Sequence, residues 1–285
     1  MAVRELFKIK RITSGDLTMT PTEEAFMIKD IKVINPASDT DYVKVRIKQT
    51  YMNVIPVYLL GPVIFGGKHK NMFDYLREKV PDVPNYKILN GEEFAIEPSG
   101  TYDYLEVIYS EHDPGDFRAG EPGTRTSEVK LYVNTLYYSG TISASGWYKF
   151  DARLEPEITP DYPHFDRIPA GKQVMIIGMA VYSKAEGSTV AKYLRVWDEE
   201  KVLFDDDRNG FLIDPTVFNE ISTYESITTG GGTQKPVGFF RFEEPFVMGA
   251  QRKYQFEFYV DYDGTNALQP KDVMLTLLGL ELPSR

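Results

Sequence analysis

The sequence predicts an all-β protein: two tandem jelly-roll β-sandwiches (a double jelly roll), with one short helix in each. Three observations predict it. Aromatic residues are abundant, 19 Tyr and 17 Phe in 285 residues, and bulky side chains of this kind suit the half-buried face of a pleated sheet. Apolar and polar residues alternate with period two over many short runs. Turn-forming clusters such as NPASDTD (35–41), EPSG (97–100), HDPGD (112–116), DDDRNG (205–210) and YDGTN (262–266) separate them. Third, features of the first half recur in the same order in the second, as a duplicated architecture requires.

The recurrence runs through five features. AFMIKDIKVIN (25–35) has the shape of QVMIIGMAVYS (173–183). DYVKVRI (41–47) aligns with KYLRVWD (192–198), matching Tyr42, Val43, Lys44 and Val45 to Tyr193, Leu194, Arg195 and Val196. A helical pattern follows in each half. NMFDYLREKV (71–80) places Met72, Phe73, Leu76 and Val80 on one face; DPTVFNEIS (214–222) has Asp214 as N-cap, Pro215 at the first helical position and Phe218 and Ile221 facing inward. FAIEPSGTYDYLEVI (94–108) then matches FVMGAQRKYQFEFYV (246–260), and EVKLYVNTLYY (128–138) matches DVMLTLLGLEL (272–282).

These matches place an N-terminal arm at 1–14, a first roll at 15–153, a linker at 154–167 and a second roll at 168–285. Pro156, Pro160 and Pro163 make the linker stiff. Long irregular segments at 48–70, 110–127 and 221–238 are expected to be functional loops.

Composition narrows the function. There is no cysteine, so disulfides, thiol nucleophiles and Cys-based zinc sites are excluded. MAVRELFKIK lacks an apolar core, so no secretory signal is expected, and no apolar run has the length of a membrane span, so a soluble chain is expected. A net charge of −10 disfavours broad or sequence-specific nucleic-acid binding. The exception is local: Arg4, Lys8, Lys10 and Arg11 against Glu5 make the N-terminus basic, as a solvated arm or a contact to an anionic surface such as lipid or packaged genome.

Catalytic patterns are missing. His69, His112 and His164 fall in predicted loops without metal-ligand spacing, and a surface histidine is the plain reading. GPVIFGGKHK (61–70) departs from the phosphate-loop spacing and lacks its hydroxyl. Asp205, Asp207 and Asn209, followed by Gly210, match the first half of a calcium loop, yet Thr216 stands where the bidentate Glu belongs. An Asx-rich turn is the plainer reading there, with structural Ca2+ as the sharper one. No other cofactor is expected. Trp147 in SGWYKF is the better placed of two tryptophans to stack on a ligand, although burial is the usual fate of Trp.

The order of parts resembles the double jelly-roll major capsid proteins of tailless icosahedral viruses: two rolls in tandem, each with a short helix between strands, a brief linker and a small N-terminal arm. The resemblance spans residues 15–285 and is architectural. It implies a structural virion protein, not an enzyme, made in the host cytoplasm and residing in the capsid. It further implies homotrimers that present six similar rolls as a pseudo-hexamer and tile an icosahedral shell. Partners would be copies of itself, other capsid proteins and, through residues 1–14, an internal membrane or the genome. Two rivals stand beside it: a receptor- or glycan-binding spike, penton or tail sandwich, for which Trp147 would be the stacking residue, and an enzyme of the cupin or glycosidase kind, which scattered loop histidines argue against.

Overall fold

The computed structural model describes residues 7–38, 40–48, 50–57, 63–65, 68–70, 87–113, 130–184, 186–203, 210–213 and 237–284. The chain divides into two compact units, Met1–Tyr132 without Ile64–Gly66, and Val133–Arg285 with it. Among the described residues there is no α-helix. Both helical patterns, 71–80 and 214–222, lie outside them.

In chain order the first ten strands are β1 (Phe7–Ile12), β2 (Leu17–Met19), β3 (Ala25–Ile34), β4 (Tyr42–Ile47), β5 (Thr50–Pro56), β6 (Val63–Phe65), β7 (Lys68–Lys70), β8 (Lys87–Ile88), β9 (Phe94–Pro98) and β10 (Tyr104–His112). Two four-stranded sheets form, β1-β10-β3-β8 and β2-β9-β4-β5, and β6 pairs with β7. With β6 and β7 set aside, eight strands remain. Numbered along the chain, they run 1-8-3-6 in one sheet and 2-7-4-5 in the other, the strand order of a jelly roll. Alternation produces the core: β4 buries Val43, Val45 and Ile47 and turns Tyr42, Lys44 and Arg46 outward.

The second sandwich holds β11 (Lys130–Tyr137), β12 (Gly146–Lys149), β13 (Ala152–Arg153), β14 (Lys172–Ser183), β15 (Val190–Asp198), β16 (Lys201–Leu203), β17 (Phe211–Leu212), β18 (Val237–Met248), β19 (Tyr254–Asp261) and β20 (Val273–Pro283). Its sheets are β13-β11-β20-β14-β18 and β12-β19-β15-β16, with β17 also on β15. Without β13 and β17 the order is again 1-8-3-6 and 2-7-4-5. β14 and β20 are buried along most of their length, which is why VMIIGMAV and VMLTLLGL read as unbroken apolar runs.

The duplication extends to irregularities. β3 carries one extra residue, Lys29, between Ile28 and Asp30 where it faces Tyr109 and Ile108 of β10. β14 carries one, Ile177, between Ile176 and Gly178 where it faces Gly279 and Leu278 of β20. Both bulges join strands three and eight of their roll. At the second, Gly279 passes so close to the Met175 carbonyl that a β-carbon there would collide with it.

The structure corrects the sequence-based boundaries. Residues 7–12 are not an arm: Phe7, Ile9 and Arg11 alternate with Lys8, Lys10 and Ile12, and the segment pairs with β10 from Phe7↔Ser110 to Ile12↔Leu105. It is the first strand of the first roll. Residues 130–153 belong to the second roll, because β11 lies beside β20 and β12 beside β19. Consequently 154–167 is not a linker between rolls. Leu154, Tyr162, His164 and Ile168 are buried, and the segment joins strands two and three of the second roll. It is tied down by Leu154 N–H to the Thr135 carbonyl (3.0 Å), Tyr254 N–H to the Pro163 carbonyl (2.8 Å) and Ile168 N–H to the Arg252 carbonyl (2.9 Å).

Two of the five sequence matches keep their register: 25–35 with 173–183 and 41–47 with 192–198. Two others are displaced. Phe94 opens strand seven of its roll, whereas Phe246 lies in strand six of the other; 128–138 and 272–282 are strands one and eight of one roll, side by side. The fifth match, between the helical patterns, falls outside the described residues.

Candidate interaction surfaces

The outer face of β12-β19-β15 concentrates aromatic and charged side chains. Tyr254, Phe256, Phe258 and Val260 of β19 are buried, so Gln255, Glu257 and Tyr259 point away from the core. Leu194 and Val196 are buried likewise, which turns Arg195 and Trp197 outward. Cross-strand register then pairs Trp147 with Tyr259, Arg195 with Glu257 and Trp197 with Gln255.

The side chains interlock. The Arg195 guanidinium lies 4.0 Å from the centre of the Trp147 ring and 5.1 Å from that of Trp197. Arg195 Nε donates to Glu257 Oε2 at 2.7 Å, and Trp197 Nε1–H donates to the same oxygen at 3.0 Å. Tyr259 meets Trp147 edge-on, 5.5 Å between centroids. A cation over an indole face contributes about 0.5–1 kcal/mol at an exposed site, and here one cation serves two indoles. Trp147 and Trp197 are both half-buried. Trp147, the candidate for ligand stacking, therefore sits on a surface and not in the core, in company with Trp197, Arg195, Glu257 and Tyr259. Alternation alone places Arg195 with Trp197 and Glu257 with Tyr259; the register that brings the two pairs together is not written in it.

The basic N-terminal residues are distributed differently from the expectation. Arg4 lies outside the described residues. Lys8 forms an ion pair with Glu111 at 2.5 Å, and that hydrogen bond raises the ammonium pKa above its ordinary value. Arg11 binds Glu106 through Nε at 3.0 Å, its guanidinium lies 4.5 Å from the Tyr104 ring centre, and the Glu106 bond raises its pKa. Lys10 Nζ donates to the Thr18 carbonyl. These three cations are engaged within their own roll. Between them, Phe7 and Ile9 are 59% and 60% exposed.

Asp205, Asp207 and Asn209 lie outside the described residues. Among the described residues, no group of three His, Asp or Glu side chains is arranged to hold a metal. Two of the three histidines lie in strands rather than in the expected loops, and His164 stands in the irregular connection 154–171, as expected. His69 lies in β7 and His112 in β10, where its Nε2 sits 2.7 Å from Ser110 Oγ. His164 is fully buried. Its Nδ1 accepts from Phe256 N–H at 3.0 Å, which leaves the proton on Nε2 to reach the Phe150 carbonyl at 2.6 Å. Burial lowers its pKa to about 4. This neutral imidazole is a staple holding 154–168 to the second sandwich.

No family model matches the sequence, and no curated protein matches it. Among solved structures, the chain is similar to the major capsid protein P2 from Bacteriophage PM2, with 7% identity, 98% of each chain covered and a TM-score of 0.47.

Proposed function

We propose that the chain is a structural virion protein, a major capsid subunit that forms homotrimers and tiles an icosahedral shell as pseudo-hexamers. The observation that supports this reading is internal. One polypeptide carries two units with the same strand order, 1-8-3-6 and 2-7-4-5, and bulges at the same place in that order. Duplication supplies two similar but non-identical sets of flanks from one gene product, and heterologous contacts between such flanks extend a lattice. A shell role asks for specific faces rather than a catalytic cleft, and the features described above are faces. Light scattering on the purified chain tests the reading. A stable particle of about 98 kDa, three times 32.6 kDa, is expected; a monomer at tens of micromolar overturns it.

The aromatic face around Trp147 favours a second reading, a glycan-binding sandwich of a spike or tail. Aromatic rings stack on the C–H faces of sugars, and Arg195 and Glu257 offer partners for hydroxyls. On that reading the chain binds immobilised glycans as a monomer and Trp147→Ala abolishes the binding.

A further inference from the structure

The two rolls treat the free edge of strand one in opposite ways. In the second roll that strand is β11. Its outer edge pairs with β13 through Leu136↔Arg153 and Tyr137↔Ala152, Leu154 N–H adds a bond to the Thr135 carbonyl, and every residue from Leu131 to Leu136 is buried. In the first roll it is β1. Among the described residues no strand lies beyond it, and Phe7–Arg11 are all exposed. An uncovered edge with apolar side chains invites another strand.

Among the described residues, β18 ends the corresponding sheet of the second roll, with no strand beyond it. The exposed large hydrophobic residues among those described are Phe7 and Ile9 on β1 and Val247 on β18, the last at 50%. The two edges differ in charge. β1 interleaves its apolar residues with Lys8 and Lys10 and ends on Arg11 and Ile12, whereas β18 presents exposed Glu244 beside Pro245 and Val247. Lys8 and Arg11 are balanced by Glu111 and Glu106, whereas Lys10 is held by the neutral Thr18 carbonyl, so the charge of Lys10 opposes a second Lys10 and is attracted to an acidic edge.

We propose that the β1 edge of one copy docks on the β18 edge of a second copy, Phe7 and Ile9 covering Val247, with Lys10 facing Glu244. The neighbour would supply the cover that β13 gives β11 within the chain. Because the two edges are unlike, the contact is heterologous and closes as a ring or continues through a lattice. The inference rests on the assembly reading above and names the surfaces that assembly uses.

Sedimentation velocity on the full chain tests it, with far-UV circular dichroism and the melting temperature as controls for folding. Wild-type protein should associate. Phe7→Ser/Ile9→Ser and, separately, Val247→Ser should each raise the dissociation constant about tenfold or more, since each removes apolar area from the contact. Lys10→Glu should weaken association, and adding Glu244→Lys should restore part of it. If wild type associates and the variants associate equally well, the inference fails while the shell reading stands. If wild type is monomeric, both fail. Flotation with vesicles of anionic phosphatidylglycerol addresses the other occupant: loss of vesicle binding in Phe7→Ser/Ile9→Ser with association unchanged overturns the inference in favour of a lipid contact.

Discussion

In the first roll, Glu97 on strand seven meets two cations of strand four: it accepts from Arg46 Nε at 2.9 Å and forms an ion pair with Lys44 Nζ at 3.9 Å. In the second roll the residue at the same register position is Glu257. It accepts from Arg195, which stands where Lys44 does, and from Trp197, which stands where Arg46 does. One carboxylate held by two side chains from the neighbouring strand is common to both faces. The difference is that an indole N–H replaces a guanidinium, and Trp147 and Tyr259 add rings beside it. The first face is a charged ladder, with Arg46 also reaching Glu93 at 2.7 Å. The second keeps the same polar anchor and surrounds it with aromatic surface. A duplicated sheet can thus keep its carboxylate anchor fixed while one copy carries a charged face and the other an aromatic one.

The largest expected effect breaks the symmetry of the bulges. The first roll tolerates Tyr109 beside its extra residue, with the ring packed 4.8 Å from that of Phe26. The second has Gly279 at that position because the Met175 carbonyl occupies the space of a β-carbon. Gly279→Val should cost more than about 3 kcal/mol, as overpacking of backbone against backbone does, read as a loss of the second roll's transition in thermal or chemical denaturation. Normal unfolding of that variant would show that the close approach is not needed.

The connection between strands two and three is the next point of contrast. In the first roll it is the short stretch between Met19 and Ala25; in the second it is the long segment pinned by His164. His164 is depressed to about 4 by burial, ahead of the opposing hydrogen bond to Phe150; nearby Lys149 and Lys253 lower it further and Asp151 opposes. The neutral ring is the bound form, so its contribution is complete above the unfolded pKa of about 6.5 and is lost as pH falls from there towards 4. Between pH 7.5 and 5 this one group should remove roughly 2 kcal/mol from the second roll. Urea denaturation at the two pH values measures it. His164→Gln should be less stable at pH 7.5 and nearly flat across the interval; an equally steep pH dependence in the variant would assign the effect to other groups.

How far these differences could be read from the chain depends on their range. Apolar patterning is local, so strands, the apolar runs 174–181 and 273–280, and the register of Tyr42–Val45 on Tyr193–Val196 are all legible. The boundary between rolls is not. β11 resembles β20 because both are apolar on both faces of one sheet, and they lie side by side; their likeness is one of environment and not of position. A jelly roll pairs its first strand with its last, a contact across roughly a whole domain that no local pattern encodes. Proline spacing in 154–167 suggested a stiff linker, and the segment is indeed fixed, but by Leu154, Tyr162 and His164 buried in the roll. At the aromatic face, Trp147 was identifiable by type alone. Its partners required knowing that Gly146–Lys149 pairs with Glu257–Val260.

Arg195 is the centre of that face, and Arg195→Ala sharpens the comparison with Lys44. The substitution removes a cation from two indoles and one donor from Glu257, at a cost of about 1–2 kcal/mol. The chain has two tryptophans, both in this cluster, so intrinsic Trp fluorescence reads this surface selectively. A red shift in emission with little change in far-UV circular dichroism is expected. Lys44→Ala should leave the emission unchanged, and a shift from that variant would contradict the assignment of the two faces to separate rolls.

The smallest expected effect is the most discriminating. Trp197→Arg rewrites the second face in the manner of the first, because Arg46 already shows that a guanidinium at this register position satisfies the shared glutamate. Trp197 is half-buried, so little core volume is lost, and the new donor replaces the indole N–H on Glu257. A change in stability within about 0.5 kcal/mol is expected by chemical denaturation, as for surface substitutions that leave no buried polar group unpaired. Partner binding, whether measured as self-association or as glycan capture, should fall if the aromatic surface is adhesive. A large loss of stability would mean instead that the indole is a packing element of the sheet, and the second face would then differ from the first by architecture and not by what it presents to a partner.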